Sequence, residues 1–195
     1  MKVAVIIPAA GASRRMRGAD KLLQDVDGKP LLRIMAERAC AVSDTVFVTL
    51  PNLDHPRANA LDDLSLRVIP VPDAAEGMAA SLRAAARALP DGIDGALILP
   101  ADMPDIEISD LDSIIKYYGR NPHAIIQGSS LDKPGHPVLF PADCLSLFKT
   151  LSGDRGARPI LQKMRDRIML VPLPGRAALT DLDTPEAWTK WRASR

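Results

Sequence analysis

Seven short runs of aliphatic and β-branched residues punctuate the chain at 3–7, 45–50, 66–71, 96–99, 124–127, 137–140 and 168–171, each bounded by Gly, Pro or Asp. Apolar runs this short suit strands buried on both faces. Between several of them lie stretches with helical spacing, at 30–40, 78–89, 110–118, 157–164 and 185–191. Strand and helix alternating in this way imply βαβ units with right-handed crossovers. The expected architecture is a three-layer α/β/α Rossmann-like fold with a mostly parallel mixed sheet. Sheets of this kind bind ligands beyond the carboxyl ends of their strands. The loops after Ile7, Val71 and Leu99 are therefore the places to look for chemistry.

The 195 residues are enough for one substantial core, and one domain spanning 1–195 is expected. Lys and Arg number 25 against 24 Asp and Glu, so no overall field would draw the protein onto nucleic acid or an anionic membrane. Any anion site must be local. Cys40 and Cys144 lack the paired spacing of a zinc or dithiol motif and read as core thiols. The apolar start VAVIIPAA runs into SRRMRGADK, too short for a membrane span and wrongly shaped for a signal peptide, so a cytoplasmic protein is expected. Residues 128–137, GSSLDKPGHP, form a late polar segment with two glycines and are expected to be a mobile loop on the substrate side.

The first apolar run empties into Ala9, Ala10, Gly11, Ala12 and Ser13, followed by Arg14, Arg15 and Met16. Small residues at a sharp bend leave backbone amides uncovered, and such amides grip phosphate oxygens. Arg14, Arg15 and Lys21 add guanidinium forks and a point charge, so a polyphosphate suits the loop. Neither GxxxxGK nor GxGxxG occurs there. On these residues alone the alternative stands that Gly11 makes a turn and residues 14–21 form a solvated surface.

Gly77 and Ser81 open an alanine-rich helical stretch, where a serine caps or hydrogen-bonds outward. Asp102 lies between Pro100 and Pro104 beyond the fourth run, a position that suits Mg2+, which takes one or two carboxylates plus phosphate oxygens and water. A plain turn aspartate is the alternative. The second acid is sought in TDLDTPE, which also reads as a helix start with Asp183 or Thr184 at the cap and Pro185 in the first turn. Asp183 is the first choice and Asp181 the second. His136 lies in PGHPVLF, and Asp154 and Arg158 lie in SGDRGAR, which reads equally as a helix cap with exposed charges. His55 and His123 are too remote from His136 for a histidine metal site.

The string PAAGASRRMRGADKLLQDVDGKPLL resembles the signature of the sugar-nucleotide and cofactor nucleotidyltransferases, in particular the MobA-like group that builds molybdenum cofactor dinucleotides. The resemblance implies that the small-residue loop wraps a triphosphate, with Ala10, Gly11, Arg15 and Lys21 on it and Arg14 an extra arginine beside the one usual there. GMAASL resembles the family's nucleobase segment and implies Gly77 and Ser81. PADMP departs from the usual GDMP at Ala101 but keeps the carboxylate, and TDLDTPE resembles DIDTPED. GHPVLF and GDRGAR resemble the molybdopterin cytidylyltransferase branch, in which they face the pterin phosphate; this implies acceptor-side roles for His136, Asp154 and Arg158.

The resemblance as a whole implies a Mg2+-dependent cytidylyltransferase that moves CMP from CTP to molybdopterin and releases pyrophosphate, with Arg15, Lys21 and Asp102 as catalytic groups. Transient contact with a molybdoenzyme or its chaperone is implied as well. Rival readings are a methylerythritol phosphate cytidylyltransferase, a molybdenum cofactor guanylyltransferase, and a non-catalytic nucleotide- or pterin-binding partner of a molybdoenzyme.

Overall fold

The computed structural model describes all residues from Met1 to Arg195. In chain order the strands are β1 (Val3–Pro8), β2 (Asp25–Val26), β3 (Lys29–Pro30), β4 (Val46–Leu50), β5 (Arg67–Pro70), β6 (Gly95–Ile98), β7 (Ile125–Ser130), β8 (Lys133–Pro141) and β9 (Ile168–Pro172). The helices are α1 (Leu31–Val42), α2 (Met78–Ala88), α3 (Ile108–Arg120), α4 (Leu145–Phe148), α5 (Arg158–Lys163) and α6 (Pro185–Ala193). Seven strands form one sheet in the order β5-β4-β1-β6-β8-β7-β9, while β2 and β3 make a separate small hairpin. β8 is antiparallel to both its neighbours, and every other pairing in the large sheet is parallel. The sheet is thus mixed and mostly parallel: the alternation of runs accounts for the parallel pairings, and β8 is the antiparallel exception.

The period of two along β1 sorts its side chains between layers. Val3, Val5 and Ile7 enter a 33-residue cluster with α1, α3 and α6, while Ile6 joins the cluster under α2 and α4. Both faces of the central strand are covered, which explains its unbroken aliphatic sequence. Trp188 and Trp191 of α6 meet edge to face at 5.8 Å, and the Trp191 indole donates to Asp105 at 2.7 Å. Those anchors fix the segment just before α6 against the strand ends.

Residues 128–137 correct an expectation. They are no loop: Gly128, Ser129 and Ser130 lie in β7, and Lys133–Pro137 begin β8. Leu131 and Asp132, with φ of 52° and 59°, close the two-residue hairpin. The glycines mark close backbone approach rather than freedom. A Cβ at Gly135 would stand 1.9 Å from the Ala178 carbonyl oxygen, and one at Gly128 would stand 2.6 Å from that of His136. Cys144 is buried and Cys40 half-buried, both as free thiols. No helix is long and apolar enough to cross a membrane.

Candidate active site

β1, β4, β5 and β6 are parallel, so the loops leaving their carboxyl ends meet on one edge of the sheet. After β1 the Ala9 amide bonds to the carbonyl and the hydroxyl of Thr49 on β4, at 3.1 and 3.2 Å. From there the chain leaves the ladder. The amides of Ala10, Gly11, Ala12 and Ser13 donate to no group of the protein, and a Cβ built at Gly11 meets nothing within 4 Å. Four amides without acceptors, with open space at Gly11, suit the oxygens of an anion. Ser13 takes φ 50°, and Met16 is buried, pinning the short helical turn that carries Arg14 and Arg15.

Lys21 sits in the next short turn, whose start is capped by Asp20 accepting from the Leu22 amide at 3.0 Å. Its ammonium donates to Asp102 at 2.6 Å and to Asp183 at 2.7 Å, with only 18% of the side chain exposed. Asp102 follows β6, and Asp183 precedes α6, whose N-cap Thr184 accepts from the Ala187 amide at 3.2 Å. The two carboxylate segments are stitched together by the Leu182 amide donating to the Asp102 carbonyl at 2.9 Å. Arg15, largely exposed, pairs with the other Asp183 oxygen at 2.6 Å.

Charge crowding sets the protonation states. Burial pushes the Asp183 carboxyl up, but the Lys21 hydrogen bond and the charges of Lys21 and Arg15 outweigh it and hold the group below the ordinary aspartate value. Asp181 goes the other way, raised by burial and then by its bond to Asp183 and the charges of Asp183 and Asp102. Asp183 is therefore the better anion and Asp181 the group that holds a proton longer. Burial works against the Lys21 ammonium, yet the two carboxylates raise its affinity for the proton.

The donor set suits a divalent cation. Asp102 and Asp183 both reach one nitrogen, so a cation could bridge them once that nitrogen withdraws. No group of three or more His, Cys, Asp and Glu is gathered closely enough to enclose a metal alone. A cation here would complete its shell with phosphate oxygens and water, as Mg2+ prefers.

The remaining residues singled out from the sequence surround this centre. Ala10 packs with Val71 and Ala80, bringing the start of α2 beside the loop. Gly77 caps α2 at φ 117°, and a Cβ there would stand 2.8 Å from Asp154 Cα. Ser81 is buried on α2. Asp154 accepts from the Met78 amide at 3.2 Å, so the structure places it against the start of α2. His136 is half-buried on β8, its amide donating to the Ala178 carbonyl at 2.9 Å and its enclosed Nδ1 without a partner. Burial is the main cause that lowers its proton affinity; the Asp102 charge opposes it and the Arg158 charge adds to it. Arg158 stands exposed at the start of α5, and Arg14 makes no ion pair.

The sequence singled out Ser13 only as one of the loop's small residues and gave no sign of Arg57, Asp20 or Thr49, which hold that loop. Arg57 is 2% exposed, although the stretch around it carried no motif.

Known proteins resemble the chain in sequence and in fold. The profile of the MobA-like NTP transferase domain matches residues 5–168. A probable molybdenum cofactor guanylyltransferase of Synechococcus elongatus is 35% identical over 114 residues, 58% of this chain and 57% of that protein. The chain thus spans a little over half the length of that relative. The purine catabolism protein PucB of Bacillus subtilis is 27% identical over 190 residues, covering 92% of this chain and 91% of its own. The crystal structure of Rv0371c from Mycobacterium tuberculosis superposes with a TM-score of 0.84 at 23% identity, covering 98% and 97% of the two chains, a likeness of fold.

Proposed function

The chain belongs to the MobA-like NTP transferase family, and we propose that it transfers CMP from CTP to the phosphate of molybdopterin, releasing pyrophosphate. The observation that carries the transferase reading is Lys21 held between Asp102 and Asp183 at the mouth of a loop with four free amides. The choice of CTP rests on the GHPVLF and GDRGAR segments. A guanylyl reading has its own support, because the Synechococcus relative carries that name.

In the proposed reaction an acceptor phosphate oxygen attacks the α-phosphorus, the new P–O bond forms, and the bond from the α-phosphorus to the bridging oxygen breaks with its electrons leaving on pyrophosphate. No enzyme nucleophile is needed. Free amides between Ala10 and Ser13 hold the β- and γ-phosphates in line, which supplies orientation. Lys21 leaves the carboxylates for the phosphate chain and, with Arg15, offsets charge on the leaving group. Asp102 and Asp183 would hold a Mg2+, which supplies further charge neutralisation on the phosphates. His136 is assigned to the acceptor side of the site. Gly77 and Ser81, beside the loop, are assigned to the base.

Incubating the protein with each of the four nucleoside triphosphates and Mg2+, then weighing the bound species by native mass spectrometry, tests the base. CTP retained above the other three is expected. GTP retained instead would move the assignment to guanylyl transfer, and retention of none would refute the transferase reading.

A further inference from the structure

Arg57 lies in a short helical turn, Pro56–Leu61, beyond the end of β4, and every partner of its guanidinium is far away in sequence. It is buried, yet all five of its N–H groups are used. Nε donates to Asp20 Oδ2 at 2.7 Å, and Nη2 donates to Asp20 Oδ1 at 2.8 Å and to Ser13 Oγ at 3.0 Å. Nη1 donates to the carbonyls of Ala9 at 2.5 Å and Gly11 at 2.8 Å. Ser13 closes the ring, its hydroxyl donating to Asp20 at 3.3 Å and accepting from the Lys21 amide at 3.4 Å.

These bonds fix direction as well as position. In a planar trans peptide the carbonyl and the following N–H point opposite ways. With the Ala9 and Gly11 carbonyls turned onto Arg57, the amides of Ala10 and Ala12 must face away from it. Those are two of the amides that find no acceptor in the protein.

We infer that Arg57 is the positioning residue that holds the first loop inside out, presenting the Ala10 and Ala12 amides to the polyphosphate. The inference rests on the proposed nucleotidyl transfer and adds to it the group that sets the phosphate site before ligand arrives. Arg57 touches no substrate and works only through the loop. Asp20 in turn orients Arg57 by a two-point pairing, which a lysine cannot reproduce because its donors radiate from one atom.

The test compares wild type with Arg57→Lys, Asp20→Asn and, as a control for lost stability alone, Phe148→Leu, which trims the packing of α4 on Phe140. Affinities for CTP, GTP and inorganic pyrophosphate with Mg2+ are measured by calorimetry, at a temperature where near-UV circular dichroism shows each protein folded. Arg57→Lys is expected to bind the preferred triphosphate and pyrophosphate roughly tenfold or more weakly, the scale of one lost charge-assisted bond. Asp20→Asn falls in between, and it carries the test if Arg57→Lys does not fold. Phe148→Leu binds as wild type does. In wild type, pyrophosphate shifts the Ala10 and Ala12 amide protons in NMR spectra. Arg57→Lys affinity within twofold of wild type, or pyrophosphate binding that leaves both amides unmoved, overturns the role of Arg57 alone. A wild-type protein that binds neither triphosphate nor pyrophosphate overturns the proposed function, and this inference with it.

Discussion

Replacing Lys21 with methionine removes the one ammonium between two carboxylates and keeps most of the side-chain volume. Its two bonds, at 2.6 and 2.7 Å, are charge-assisted, and each such bond is worth about 1.5–3 kcal/mol when made. Partial exposure and the relief of lysine desolvation reduce the sum, which leaves a net loss of about 2–3 kcal/mol. For a chain of this size each kcal/mol moves Tm by roughly 2–4 °C, so the variant should melt roughly 4–12 °C lower in metal-free buffer. Mn2+ should then act unequally on the two proteins. In Lys21→Met the carboxylates lose the cation they share, only Arg15 remaining on Asp183, and metal binding restores part of the loss through linkage. In wild type the ammonium must withdraw first, so the same metal raises Tm less. Differential scanning fluorimetry with and without millimolar MnCl2 reads both effects. A variant melting within about 1 °C of wild type, or an equal metal response in the two, would refute the competition between ammonium and cation.

Two glycines should respond oppositely. Gly77→Ala, forced into φ 117° and onto Asp154 Cα, should lose at least about 2 kcal/mol in urea unfolding, whereas Gly11→Ala, with open space around its Cβ, should stay within about 0.5 kcal/mol of wild type and lose nucleotide affinity. Equal stability losses in the pair would contradict the division between a packed and a ligand-facing glycine. Burial raises the Asp20 carboxyl and Arg57 more than offsets it, so the folded pKa lies below the ordinary value. Asp20 therefore adds stability above the unfolded value of about 3.9, and that part vanishes as pH falls through the folded value. Asp20→Asn should be about 2–3 kcal/mol less stable at pH 7 and show a shallower acid limb in urea titrations; an unchanged acid limb would remove Asp20 from the account.

The architecture was legible because strands covered on both faces must be aliphatic throughout, and β1 with Ile6 facing one layer and Val5 and Ile7 the other shows why. The direction of β8 was not, since an apolar run has no sense of direction. Its hairpin was hidden because Leu131 and Asp132 occupy positive φ where Asn-Gly would have announced the turn. Gly128 and Gly135 looked like flexibility, and their role shows only when the Ala178 backbone lies against them. At the site, Lys21, Asp102 and Asp183 were each marked by their own motif. Their convergence on one nitrogen was not, because it depends on α6 docking through Trp188 and Trp191. Arg57 left no local trace, since four of its partners lie at 9, 11, 13 and 20 across a strand.

The central claim is that Lys21, Asp102 and Asp183 form the centre of a nucleotidyl transfer. The direct measurement is pyrophosphate release from CTP in the presence of molybdopterin and Mg2+, for wild type and Asp102→Ala. Lys21 keeps Asp183 in the variant, so the fold should persist in circular dichroism. The account predicts release that needs both substrates in wild type and none above background in Asp102→Ala. Mg2+-dependent release by the folded variant at the wild-type rate would contradict it.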